Sequence, residues 1–220
     1  MRVKDTFTDT KTIALVEAAQ SGNVGAVQAA IRSGANPNDR GKDDATPLMV
    51  VLATTVNKNG LSALTEGGAD PNMPSTRGVA PMSLVARAKD PELLRIMLKG
   101  GGNPNLKGGN GDPLIIQAAT DGLWENVEIL LQNRADINAD NDSGFTAAMN
   151  AAALRQYDRA AWLIEKGADV RHSSKIGISL AEITGKFDVP PNSQQFPWRQ
   201  KVIEILKAQG VAVPPGQSVH

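Results

Sequence analysis

The 220-residue chain has no cysteine. Disulfides and thiolate zinc sites are therefore excluded. The compartment stays open, because a cysteine-free chain works in either redox environment. Aromatic residues make up only 4%, so alanine, leucine, valine and glycine must supply most of the packing. Small side chains of that kind suit helices whose axes lie close together. Neither charge sign is in excess: Lys plus Arg is 23 and Asp plus Glu is 23. A neutral chain gives no support for bulk nucleic-acid binding, which rests on phosphate neutralisation. No run of 18 apolar residues occurs, so no membrane insertion is expected. Residues 1–12, MRVKDTFTDTKT, lack the apolar core of a secretory signal. The expectation is a soluble protein, cytoplasmic, or periplasmic if an N-terminal signal has been removed. An apolar share of 41% is enough for a buried core.

What the chain does have is a period. GANPN stands at 34–38, GADPN at 68–72 and GGNPN at 101–105; looser copies, RADIN at 134–138 and GADVR at 167–171, keep the pitch. A spacing of about 33 residues is a repeat signature. Each pentapeptide follows an apolar pattern at helix spacing: VGAVQAAIRS at 24–33, ELLRIMLK at 92–99, ENVEILLQ at 125–132 and RAAWLIEK at 159–166. Val127, Leu130 and Leu131 fall at i, i+3 and i+4 and form one stripe. Gly34, Gly68, Gly101 and Gly167 follow such helices, and a glycine there takes positive φ without steric cost and stops the helix.

A second mark recurs about 12 residues after each glycine: ATPLM at 45–49, APMSL at 80–84, DPLII at 112–116 and TAAMN at 146–150. Proline suits the first helical position, and Thr46 and Asp112 are placed as N-caps for Pro47 and Pro113. A short helix with central alanines starts here. A glycine turn then leads to the second helix: SGN at 21–23, NGL at 59–61 and DGL at 121–123. One unit has a face it cannot bury alone, and stacking closes it.

These motifs resemble the ankyrin repeat. The family pattern stands as Thr46-Pro47-Leu48, as Ala118-Ala119 with Gly122, as Ile129-Leu130-Leu131, and as Gly68-Ala69-Asp70-Pro71-Asn72. The resemblance covers roughly residues 10–210. It implies an all-α solenoid of helix-turn-helix units with projecting hairpin turns, in one domain over 1–220. The units fall at about 10–37, 38–71, 72–104, 105–137, 138–170 and 171–214. The family's histidine after Thr-Pro-Leu is missing; its places hold Val16, Met49, Ser83, Ile115 and Met149.

The period breaks twice. The last unit carries extra residues, FDVPPNSQQFPW at 187–198, whose prolines do not fit a helix interior. They form a loop that either caps the stack, with Phe196 and Trp198 over apolar surface, or contacts a partner. Arg134 stands where four units have glycine. Either the helix stop shifts by one residue or Arg134 bears roughly 1 kcal/mol of strain.

Catalytic chemistry has little to stand on. His172 and His220 are the only histidines, and neither has a partner placed by a motif. No H-E-x-x-H, G-x-S-x-G or P-loop pattern occurs. The glycine run at 100–112 lacks the Lys-Ser/Thr ending of a phosphate loop. Asp136, Asn138, Asp140, Asp142 and Gly144 alternate as in a calcium loop, but position 147 is alanine and the frame fails. An acidic surface turn is the plainer reading. Trp124, Tyr157 and Trp162 are expected to pack between units.

No catalytic, cofactor or metal residue is assigned. The resemblance implies a non-enzymatic protein-binding module, with an inhibitor, adaptor or bacterial immunity protein against a toxin or effector as the finer expectation, monomeric when free. The hairpin tips would carry the contacts: Arg40, Asp43 and Asp44 in the first, Met73 and Arg77 in the second, Leu106 and Lys107 in the third. Asp140 and Asp142 follow in the fourth and Arg171 and Lys175 in the fifth, with Phe196 and Trp198 from the insertion. The alternative is a ligand-binding protein or enzyme using the insertion. Circular dichroism should give a predominantly α-helical spectrum, and a strand-dominated one would contradict every helix start proposed above.

Overall fold

Thr46 and Thr146 each begin a helix for a local reason. The hydroxyl of each accepts a hydrogen bond from the backbone N–H three residues on, at Met49 and Met149, both at 3.4 Å. That satisfies one of the amides a helix start leaves unpaired. In the computed structural model, which describes residues 3–186 and 188–215, this event recurs with variations and yields helices in sequential pairs. They are α2 (Thr10–Ser21) with α3 (Val24–Arg32), α4 (Pro47–Ala53) with α5 (Lys58–Glu66), and α6 (Pro81–Ala86) with α7 (Pro91–Lys99). Then come α8 (Leu114–Thr120) with α9 (Trp124–Gln132), α10 (Ala147–Ala153) with α11 (Tyr157–Glu165), and α12 (Leu180–Lys186) with α13 (Phe196–Ala208). A one-turn helix α1 (Val3–Thr6) precedes them, and Phe7 behind it is buried. The architecture is an all-α solenoid, and the described residues hold only isolated β-bridges.

First helices stack on first helices and second on second, so one apolar core runs from Val3 to Leu206. The far end is covered by the chain itself. Val211 and Val213 pack on the core, and Pro214 lies against Gly185 of α12.

The repeated pentapeptide fastens one unit to the next. The Asn72 carbonyl accepts from the backbone N–H of Asn103 at 2.7 Å, and its amide donates to the Gly101 carbonyl at 3.0 Å. Asn38 does the same to Asp70 and Gly68, and Asn105 to Asp136 and Arg134. Asn138 accepts from Asp169 at 2.7 Å. Within each unit the Asp or Asn two residues earlier accepts the backbone N–H of this last residue, as Asp70 does for Asn72 at 2.8 Å. The pentapeptide thus sets its own turn and the register of its neighbour.

Arg134 takes φ 68, so the helix stop does not shift and the residue adopts the left-handed backbone usual for glycine. Three expectations need correction. The second inter-helix turn is not at 59–61: Gly60 lies buried inside α5, where a Cβ would come 1.9 Å from the Ala19 carbonyl oxygen. Glycine is there for close helix approach, and Val56, at φ 50, makes the turn. In the fourth unit Pro113, not Asp112, occupies the cap position, and α8 begins at Leu114. The residue matching Met49 and Met149 is then Ile116 rather than Ile115. Pro197 does sit in a helix, in the first turn of α13, where no amide hydrogen is required. The loop therefore ends at Gln195. Phe187 and His220 lie outside the described residues.

Leu130 is fully buried, so Leu130→Ala should cost about 2–5 kcal/mol in urea denaturation. Asn72→Ala strips two inter-unit hydrogen bonds and should cost about 1–3 kcal/mol. Asp142 is exposed, and Asp142→Ala should stay within roughly 0.5 kcal/mol. A different rank order would mean that the core face or the inter-unit fastening has been misread.

Candidate functional site: the hairpin row and its groove

Each tip is closed by the same backbone bond, from the N–H of one residue to the carbonyl four residues on. It joins Gly41 to Ala45, Ser75 to Val79, Gly108 to Asp112, Asn141 to Phe145 and Ser174 to Ile178, at 2.8–3.0 Å. The first tip departs in detail. It contains a 3-10 turn over Lys42–Asp44, with Asp43 and Asp44 at positive φ. The Asp43 carbonyl accepts from the Thr76 N–H and hydroxyl at 3.3 and 3.2 Å.

Most basic groups of the tips are turned along the row. Arg40 donates to the Pro74 carbonyl in the second tip. Lys107 donates to the Asp140 carbonyl at 3.1 Å. His172 bonds to the Gly144 carbonyl at 3.0 Å and has Asp140 at 3.8 Å. Arg171, which replaces the fastening asparagine in the fifth pentapeptide, donates to the Gln209 carbonyl of the last unit. Its side chain is a long substitute for the missing Asn. Reversing its charge would thus disturb the stack as well as the tip. Asp142, Lys175 and Arg77 remain exposed. Met73 and Leu106 are half-buried, Leu106 against the core.

The insertion is folded onto its own unit and the one before. Val189 is buried. Gln195 exchanges two bonds with Asp158, donating to its carboxylate at 3.0 Å and accepting from its backbone N–H at 3.1 Å. Asp188, the insertion's one acidic group, lies 3.5 Å from the buried Arg199, whose Nε donates to the Thr184 carbonyl at 3.1 Å. Tyr157 is fully buried beside them. Burial pushes its phenol pKa up, and the Arg199 charge opposes the rise. Phe196 packs on the core, while Trp198 stays exposed with Lys201 Nζ 5.2 Å from its ring centre. Trp124 and Trp162 pack between units edge to face, with centroids 6.1 Å apart.

Between the tips and the first helices runs a groove. One hollow of about 280 Å³ is lined by Met49 and Ala53 from α4, Lys42 and Asp43 from the first tip, and Arg77, Val79 and Leu84. A second, of about 500 Å³, shares Arg77, Val79 and Leu84 and continues to Arg87, Gln117 and Asp121. Arg87 and Asp121 form a two-point ion pair at 2.6 and 3.2 Å. Of the tip residues expected from sequence, Asp43 and Arg77 enter this groove. The floor of Met49, Val79 and Leu84 was not anticipated. Its one sequence signal is Leu84 itself, at a helix position where the fourth and fifth helix pairs carry Gln117 and Asn150. No cluster of three or more metal-ligating side chains occurs among the described residues.

Residues 82–174 match the family described as "Ankyrin repeats (3 copies)". That segment consists of ankyrin repeats, and the whole stack has the ankyrin-repeat architecture. A crystal structure titled "EF0377 an Ankyrin Repeat Protein" is 25% identical, with a TM-score of 0.68 over 89% of this chain and 97% of that one. The ankyrin repeat domain of Bcl-3, described as a unique member of the IkappaB protein family, is 21% identical with a TM-score of 0.71, covering 90% of this chain and 86% of its own. That of human ASB11 is 23% identical with a TM-score of 0.62, covering 90% and 84%. These last two likenesses speak for the fold alone. No curated protein matches the sequence. Ankyrin-repeat domains are generally non-catalytic scaffolds for protein-protein interaction, and it is their architecture that this chain shares.

Arg171→Ala removes a bond to the last unit and should lower stability by about 0.5–1.5 kcal/mol, whereas Lys175→Ala, on the same tip, should change it by less than roughly 0.5 kcal/mol. Thermal unfolding of the two variants side by side tests whether Arg171 is a structural group.

Proposed function

We propose that this ankyrin-repeat protein acts as an inhibitor or adaptor that covers another protein with its hairpin tips and the concave face of its first helices, a toxin or effector being the kind of partner meant. The stack of six units works as one body and is monomeric when free. The observation that carries this reading is the groove: a continuous trough between tips and first helices, with Leu84 42% exposed at its centre. Exposed apolar surface framed by polar groups is what a protein interface needs at its centre. Tips of unlike charge on a constant framework supply selectivity and orientation rather than raw affinity.

The fourth tip is the acidic one. The Asp140 and Asp142 carboxylates make no hydrogen bond within the described residues beyond the approach of His172 to Asp140, so they are available to a partner's cations. Affinity purification of the intact chain from its native source, with mass spectrometry of what stays bound, identifies the partner. Isothermal titration of that partner against Asp140→Lys/Asp142→Lys should then show weaker binding, with the largest loss at low salt, because screening shrinks the difference as ionic strength rises. A partner that binds the double variant and a Lys175→Glu variant as tightly as wild type at low salt would move the contact away from these tips. A chain that holds no protein under native conditions would refute the binding role.

A further inference from the structure

Resting on that protein-binding reading, we infer that the groove beside the second hairpin takes a partner segment carrying a carboxylate next to an apolar side chain. The carboxylate sits on Arg77 and the apolar group on the floor made by Met49, Val79 and Leu84.

Three observations converge. The first is continuity. The two hollows share Arg77, Val79 and Leu84, so they form one trough crossing two units, with this trio at its centre. The trough is open along its length, which suits a stretch of polypeptide better than an enclosed small molecule. The second is the floor. Val50 and Ile183, which occupy the position of Leu84 in other units, are buried, and Gln117 and Asn150 are polar. Leu84 alone among them is a large apolar side chain left exposed.

The third is charge. Arg87 is neutralised by its two bonds to Asp121. Lys42 and Asp43 on the far wall offset each other in sign. Arg40, Lys107 and Arg171 all donate to carbonyls of neighbouring units. Arg77 makes no side-chain hydrogen bond or ion pair within the described residues and stands exposed over the shared wall. A guanidinium over apolar surface is the side chain best suited to a carboxylate in two-point geometry, and arginine is enriched where interfaces concentrate their binding energy. The net positive charge of the trough is therefore carried by one group, and it asks for an anion beside an apolar residue.

The test uses the full-length chain as bait for a random-peptide phage library. Enriched peptides are expected to carry Asp or Glu adjacent to Leu, Ile, Met or Phe. A synthetic peptide of the enriched sequence should move the Leu84 methyl and Arg77 Nε–H signals in an NMR titration. Its affinity should fall at least about tenfold with Arg77→Glu and several-fold with Leu84→Ser. Both residues are exposed, and an unchanged circular-dichroism melt confirms that each variant folds. Enrichment of basic or uncharged peptides, absence of any enriched sequence, or shifts confined to the Lys175 tip would overturn the inference. So would an affinity indifferent to Arg77→Glu. Sodium acetate alone, producing the same shifts at the same concentration, would assign a small carboxylate to the site instead and equally refute it. The two readings fail separately. A native partner that co-purifies equally with wild type and Arg77→Glu leaves the binding role standing and removes this groove from it; the lack of any co-purifying protein removes the role itself.

Discussion

At three successive joints a single asparagine holds the next unit in place. Asn38, Asn72 and Asn105 each spend a side-chain carbonyl on the following unit's backbone N–H and a side-chain amide on its backbone carbonyl. A backbone N–H and C=O pair that would otherwise need water is satisfied by one rigid side chain. The spacing between hairpins follows from it, and so does the groove, because hairpins held at a fixed pitch cannot collapse onto the first helices. The small residues of the core are compatible with this constraint. Gly60 against Ala19 shows the limit, where even a methyl group would strike the neighbouring backbone.

Charge is used in two ways on the two sides of the stack. On the second helices, exposed ion pairs run from unit to unit: Lys58 to Asp90, Lys99 to Glu66, Arg95 to Glu125 and Lys201 to Glu165. Each is worth little alone, about 0–1 kcal/mol, but each fixes register. On the tips, cations reach carbonyls of the next unit. Arg40, Lys107 and Arg171 are consumed by this stitching, whereas Arg77 is not, which is why it stands out on the groove wall although it is unremarkable in the sequence.

The fold was legible because its signals are periodic. Pentapeptide, glycine stop and helix start recur, and each has a local mechanism that survives without knowledge of the neighbours. The unequal unit at Arg134 was legible too, since arginine in place of glycine admits only a shifted stop or a strained backbone, and φ 68 decides for the second. What sequence misplaced depended on partners distant in the chain. Gly60 reads as a turn residue until Ala19 is beside it. Pro113 reads as a first helical residue after an Asp cap until its bridge to Lys107 shows that it occupies the place of Thr146. The tip charges read as free until their acceptors, 28–38 residues away, are seen. The groove floor was invisible for the same reason, since an apolar residue on a short helix is expected to be buried.

The Trp124–Trp162 contact marks where the outer stitching changes character. The second helices elsewhere in the stack approach closely, but α9 and α11 stand wider apart, with a hollow of about 380 Å³ between Leu131, Ile137 and Trp162. No ion pair crosses this seam among the described residues; Arg159 lies 4.9 Å over the Trp124 ring, and Lys166 5.5 Å over that of Trp162. An edge-to-face aromatic pair contributes about 0.5–1.5 kcal/mol beyond its buried area, and its cations add a similar amount where water is excluded. The seam is thus held by bulk where its neighbours are held by charge. Since a stacked-repeat protein is only as continuous as its nearest-neighbour interfaces, two of the chain's three tryptophans are spent keeping the fourth and fifth units together. That leaves Trp198, at the end of the stack, as the only one not already committed to it.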